Sequence, residues 1–116
     1  MEKKYDIEDR LVAFAGDCIL FLNSVPKDAA GSNLIGQLTR SATSSALNYG
    51  EVQGAESNKD KIHKLSICLK ELKESRVAFK ILDYIQYGEN QERTKLLDEC
   101  NQLSAIIASI IKKKKA

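Results

Sequence analysis

Apolar residues at Ile7, Leu11, Phe14, Cys18, Phe21 and Val25 recur at alternating intervals of four and three, the spacing of one face of an α-helix. Asp6 stands where an N-cap belongs, and Pro26 ends the run or follows just past its end. Ile19, Leu20 and Leu22 lie off this seam. A helix with a second apolar face needs a second cover, so another helix or another subunit is expected over them.

Lys27–Asn33 reads as a turn, with Ser32 or Asn33 capping a second helix that runs from Leu34 to Glu51 or a little beyond. Leu34, Leu38, Ala42, Ser45 and Tyr49 recur along it, and its middle, SATSSA, is built of small residues that let a neighbouring backbone come close. Gly54 is the expected C-terminal stop. Ser57–Asp60 reads as a variant capping box for a third helix, with Asp60 in place of the usual Glu. Its seam is Ile62, Leu65, Leu69, Leu72, Arg76 and Phe79; Ile81, Leu82 and Ile85 extend the apolar face, and Gly88 is the stop. Asn90 caps a fourth helix with the seam Leu96, Cys100, Leu103, Ile107 and Ile110, beside Leu97, Ile106 and Ile111. It closes on Lys112–Lys115, cations placed where a helix C-terminus favours them. Four helices with short connections predict an all-α chain folded as an antiparallel up-down-up-down four-helix bundle. The prediction is one domain over residues 1–116, with a short basic C-terminal tail.

Composition agrees. A chain of 116 residues supports one core, and 43% hydrophobic with 29% charged residues is ordinary for a globular protein. Net charge is only +2, but it is unevenly spread. Residues 1–56 hold five basic and eight acidic side chains, and residues 57–116 hold thirteen and eight. A basic second half can attract nucleic acid or an acidic partner. Cys18, Cys68 and Cys100 lack metal-ligand spacing and fall in apolar stretches, so they read as buried reduced thiols of a cytoplasmic protein. Acidic residues in the opening MEKKYDIEDR argue against a signal peptide, and Cys18–Leu22 is too short to span a bilayer, so no membrane contact is expected.

No catalytic motif is present: no P-loop, GxSxG, HExxH or Gly-rich dinucleotide turn. His63, the single histidine, has no partner in the sequence to make it a general base and reads as a surface residue. ExxH pairs that would build a di-iron bundle are absent, so neither a metal nor a cofactor is expected. Arg76 on an apolar seam needs a partner, because an unpaired buried charge is costly. A structural network of Arg76 with Asn48 and Glu51, near Glu71 and Glu74, is expected; a ligand site is the competing reading. Lys59, Lys70, Lys73 and Lys80 share one side of the third helix, which serves solubility or a partner. Lys112–Lys115 either complements the helix dipole or contacts phosphates, and the second effect grows if oligomerisation gathers several copies.

Several stretches carry a family resemblance: Arg40-Ser41-Ala42-Thr43-Ser44, Asn48 with Glu51, Gln53-Gly54-Ala55, Lys59-Asp60, His63-Lys64-Leu65-Ser66 and Leu69-Lys70-Glu71. Together they resemble the four-helix-bundle proteins encoded within the intervening sequences of bacterial 23S ribosomal RNA genes. Gly50 and Val52 depart from the family pattern, which usually has Ala before the Glu and Gly after it. Gly within a helix costs about 1 kcal/mol against Ala, so the helix end shifts toward Gly54. The resemblance implies a ring-forming homo-oligomer, typically a homopentamer. It also brings in a relative, the accessory variability protein of diversity-generating retroelements, a basic pentameric barrel that binds a reverse transcriptase and nucleic acid. The expectation is therefore a non-enzymatic module that binds RNA, DNA or a nucleic-acid-processing protein. The candidate contacts are Lys112, Lys113, Lys114 and Lys115, then Lys70, Lys73 and Lys80. The alternative is a structural or protein-interaction scaffold with no nucleic acid contact.

Overall fold

Four side-chain caps set where the helices begin. In the computed structural model, which describes residues 6–116, Asp6 accepts the Asp9 amide at 2.8 Å and opens α1 (Ile7–Phe21). A 3₁₀ turn, Leu22–Ser24, ends that helix before Pro26. Asp28 accepts the Gly31 amide at 2.8 Å and opens α2 (Ala29–Gly50). Ser57 accepts the Asp60 amide at 3.1 Å and opens α3 (Asn58–Tyr84), as the capping box predicts. Glu89 accepts the Gln91 and Glu92 amides at 3.1 and 2.7 Å and opens α4 (Asn90–Lys115).

Two of these starts differ from the sequence expectation. α2 begins near Asp28 rather than after Ser32, because Gly31 supplies an amide to the Asp28 cap and Ala29 and Ala30 are ready helix residues. α4 is capped by Glu89, while Asn90 is inside the helix and its side-chain oxygen accepts from Arg93 at 2.7 Å. α2 ends at Gly50, with Glu51 as C-cap, rather than reaching Gly54. Val52 then turns inward to 9% exposure and closes that end of the core. Lys112–Lys115 form the last turn of α4 and not a tail beyond it.

Contacts between helices fix the topology. Arg40 reaches Glu71 and Ser41 reaches Ser75, while Glu51 pairs with Lys64 farther along, so α2 and α3 run antiparallel. Arg93 meets Asp83 and Asn58 meets Lys114, which makes α3 and α4 antiparallel. Arg10 pairs with Glu99 and Ser24 with Glu89, which makes α4 and α1 antiparallel. α1 and α3 therefore point the same way from diagonal corners of a four-helix bundle, the fold class the sequence predicts.

Leu11, Phe14, Cys18, Leu38, Leu65, Leu72, Phe79, Leu82, Leu103 and Ile107 fill the core. The Phe79 ring lies 6.4 Å from that of Phe14 and 5.7 Å from that of Phe21, inside the range of favourable aromatic pairs. The buried face of α3 is Leu65, Cys68, Leu72, Ser75, Phe79 and Leu82, rotated slightly from the expected seam. Cys68 and Ser75 take the inward places the sequence reading gave to Leu69 and Arg76. Small residues permit this: the Ser41 and Ser75 hydroxyls meet at 2.7 Å across α2 and α3. The three cysteines are buried and free, and burial pushes the Cys68 and Cys100 thiols up to about 12.

One buried charge escaped the sequence reading. Arg93 is 1% exposed, and its guanidinium donates to the Tyr87 and Gly88 carbonyls at 2.9 Å and to Asp83 at 3.2 Å. It thereby clamps the α3–α4 turn, where Gln86 and Gly88 hold left-handed φ of 59° and 88°. Gly88 is needed there twice, because a Cβ would also lie 2.4 Å from the Phe21 ring.

Candidate nucleic-acid interface

Antiparallel pairing brings the N-terminus of α1, the C-terminus of α2, the N-terminus of α3 and the C-terminus of α4 toward one end of the bundle. The Asn58 side chain donates to the Lys114 carbonyl at 3.1 Å, which ties the first turn of α3 to the last turn of α4. Tyr49, Val52, Lys61, Leu65, Ile110 and Lys114 line a cavity of about 300 Å³ at the same end. Seven lysines belong to these two turns and the one after them: Lys59, Lys61, Lys64 and Lys112–Lys115. Among the described residues Glu51, Glu56 and Asp60 oppose them, as do Asp6 and Glu8 at the start of α1, where Glu8 lies beside Gly50. Glu51 is already paired with Lys64 at 2.5 Å. Lys59, Lys112, Lys113 and Lys115 are exposed. The side of this end built by α3 and α4 is therefore basic, and the carboxylates of α1 and the α4 dipole offset part of its charge.

Lys70, Lys73 and Lys80 are exposed along the outward side of α3, away from that end. Lys70 and Lys73 border an open depression of about 820 Å³ over α3, walled by α2 and α4. Leu34, Leu69, Val77, Ala78 and Ile81 give it an apolar floor, and Lys115 and Arg40 join its rim. Lys115 is thus shared between the bundle end and the depression, whereas Lys80 borders neither of the two cavities. Lys112–Lys115 is a run already visible in the sequence, which does not single out Lys61 and Lys64. Only the antiparallel packing of α3 on α4 places those two beside it.

The expected polar network of Asn48, Glu51 and Arg76 does not form. Arg76 is exposed, because Ser75 takes the inward position beside it. Asn48 donates to the Ser44 carbonyl and hydroxyl at 2.9 and 3.0 Å, and Glu51 pairs with Lys64. The buried carboxylate is Glu71, and its arginine comes from α2: Arg40 donates to Glu71 at 3.1 Å and to Glu74 at 2.9 Å. Burial pushes the Glu71 carboxyl up, but its hydrogen bonds and the Arg40 charge outweigh this and hold it below its ordinary value. That pair fixes the register of α2 on α3.

His63 is exposed at the second turn of α3. Among the described residues no group of His, Cys, Asp or Glu is gathered to hold a metal ion. No helix among them is long and apolar enough to cross a membrane.

The model of the family described as 23S rRNA-intervening sequence protein matches residues 3–109. A solved protein of unknown function, from the S23 ribosomal protein family of Bacteroides thetaiotaomicron, is similar in fold with a TM-score of 0.84. It is 25% identical, and the match covers 92% of this chain and 99% of that one. No curated protein matches the sequence.

Proposed function

The chain belongs to the 23S rRNA-intervening sequence protein family, and we propose that it is a cytoplasmic, non-enzymatic module that self-assembles and binds nucleic acid. The observation that carries this reading is the convergence of Lys59, Lys61, Lys64 and Lys112–Lys115 at one end of the bundle. Phosphate contacts are additive and salt-sensitive, so a cluster of lysines on each chain becomes a strong site when several chains present it together. A homopentameric ring, the assembly the resemblance implies, would do this. Exposed apolar side chains on two opposite corners support self-assembly: Val12, Ile19 and Leu20 on α1, and Val77, Ile81 and Tyr84 on α3. Lys70, Lys73 and Lys80 extend the positive surface along α3 and are secondary to the bundle end.

The test is fluorescence anisotropy with labelled single- and double-stranded RNA and DNA at low and near-physiological salt. The wild type is expected to bind in a salt-sensitive way. A Lys112→Ala/Lys113→Ala/Lys114→Ala/Lys115→Ala variant should lose on the order of 100-fold in affinity at low salt. A folded wild type that binds none of the four probes at low salt would overturn the nucleic-acid reading. The apolar depression over α3 would then favour a protein-interaction scaffold without nucleic acid contact.

A further inference from the structure

Two surfaces of this chain complement each other but cannot meet within one molecule. The outward face of α1 carries Asp9, Val12, Gly16, Ile19 and Leu20, all exposed, with Glu8 at its edge. Leu20 is 67% and Val12 57% exposed, a large apolar area left to water. On the diagonal corner, α3 presents Lys70 and Lys73, then Val77 and Ile81, over the walled depression. Val77 is 49% and Ile81 44% exposed.

The order of chemistry matches as well. Along α1 the carboxylates Glu8 and Asp9 come before Val12, Ile19 and Leu20. Along the α3 depression Lys70 and Lys73 come before Val77 and Ile81, with Glu74 between them engaged by Arg40. Asp9 to Leu20 and Lys70 to Ile81 are the same number of residues, about 16 Å of helix in each case at 1.5 Å per residue. Small Gly16 and Ala13 on α1 leave room for a helix to sit close. Matched helix faces of opposite charge with a shared apolar centre form a specific interface.

Resting on the self-assembly reading above, we infer that α1 of one copy docks into the α2–α3–α4 depression of a second copy. Its Glu8 and Asp9 then face Lys70 and Lys73, and its Ile19 and Leu20 cover Val77 and Ile81. The contact is heterologous, because two different patches meet, so it repeats from copy to copy and closes when the rotation allows. Its direction follows from the fold. α1 and α3 are parallel within one chain, so a second α1 lying parallel to α3 places the second bundle in the same orientation. All bundle-end lysines then fall on one rim of the assembly. Lys70 and Lys73 are neutralised by the neighbour, which leaves Lys59, Lys61, Lys64 and Lys112–Lys114 for phosphates.

The test is light scattering on gel-filtered protein, with far-UV circular dichroism to confirm that each variant stays helical. The wild type is expected at a multiple of the chain mass, and Leu20→Asp and Ile81→Asp each at the mass of one chain. Glu8→Lys/Asp9→Lys and Lys70→Glu/Lys73→Glu should each weaken assembly by roughly tenfold or more, and joining all four in one chain should recover most of that loss. A wild type that stays single from micromolar to submillimolar concentration would sink self-assembly itself, and this contact with it. An oligomeric wild type whose Leu20→Asp and Ile81→Asp variants keep its mass would overturn this contact alone. So would charge reversals that fail to compensate each other.

Discussion

Truncating Phe79 to alanine is expected to lower folding stability by about 3–5 kcal/mol, the largest loss of any single core change in the chain. The side chain is 0% exposed, and its ring packs against both Phe14 and Phe21 of α1. α1 is the shortest of the four helices, with 15 residues against 22 to 27 for the others. It depends on a few large contacts, so the cavity left by Phe79→Ala opens where collapse is hardest. At roughly 4 °C per kcal/mol for a domain of this size, thermal unfolding should move down by about 12–20 °C. The check is calorimetry or a circular-dichroism melt. A shift of only a few degrees would mean that α1 is held by something other than this aromatic contact.

Gly31→Ala should destabilise by about 2–4 kcal/mol, although alanine is a better helix residue than glycine. An added Cβ would stand 1.6 Å from the Pro26 carbonyl oxygen, an overlap with backbone rather than with a mobile side chain. Relief requires moving the Pro26–Asp28 turn or the first turn of α2, and either movement breaks the Asp28 cap on the Gly31 amide. Gly36→Ala in the same helix is the internal control, since nothing lies within 4 Å of its added Cβ. It should stabilise the protein by about 0.5–1 kcal/mol. Opposite signs for two Gly→Ala changes five positions apart on one helix, read by denaturant unfolding, would confirm the close approach of Pro26. Two stabilising changes would contradict it.

How much of this was legible in the sequence depends on what each feature rests on. Helix number and type rest on periodicity, which marks out four helices. The Asp6 and Ser57 caps rest on short polar side chains standing just before an apolar run. The start of α2 was obscured because Gly31, Ser32 and Asn33 look like turn residues in isolation. Only the reach of the Asp28 side chain shows that the helix has already begun. The α3 seam was rotated because Leu69 and Arg76 look larger and more decisive than Cys68 and Ser75. Burial there is decided by close packing against the small residues of α2, which a one-helix pattern does not contain. Arg93 was invisible for a related reason: two of its partners are carbonyls of the α3–α4 turn. Ile19, Leu20 and Leu22 were readable as off-seam apolar residues that need a cover. Within the chain only Leu22 finds one, at 5% exposure, because the 3₁₀ turn swings it inward, while Ile19 and Leu20 stay exposed.

The candidate interface divides along the same line. Lys112–Lys115 is a run in the sequence and needs no fold to be noticed. Lys59, Lys61 and Lys64 join it only through the antiparallel pairing of α3 with α4. The two complementary helix faces lie far apart in the chain, so their match in charge order appears only once both faces are known to point outward.

The central claim is that several bundle ends act on one nucleic acid, and the salt dependence of binding tests it most directly. Each phosphate contact on duplex DNA adds about −0.9 to the slope of log affinity against log salt concentration. One chain using Lys112–Lys115 alone would give a slope of about −4, so an assembly with a shared basic rim should give a steeper one. A slope clearly beyond that value, relaxing when Leu20→Asp separates the copies, is the predicted result. A wild-type slope near zero, or no binding at low salt by folded and assembled protein, would contradict the account.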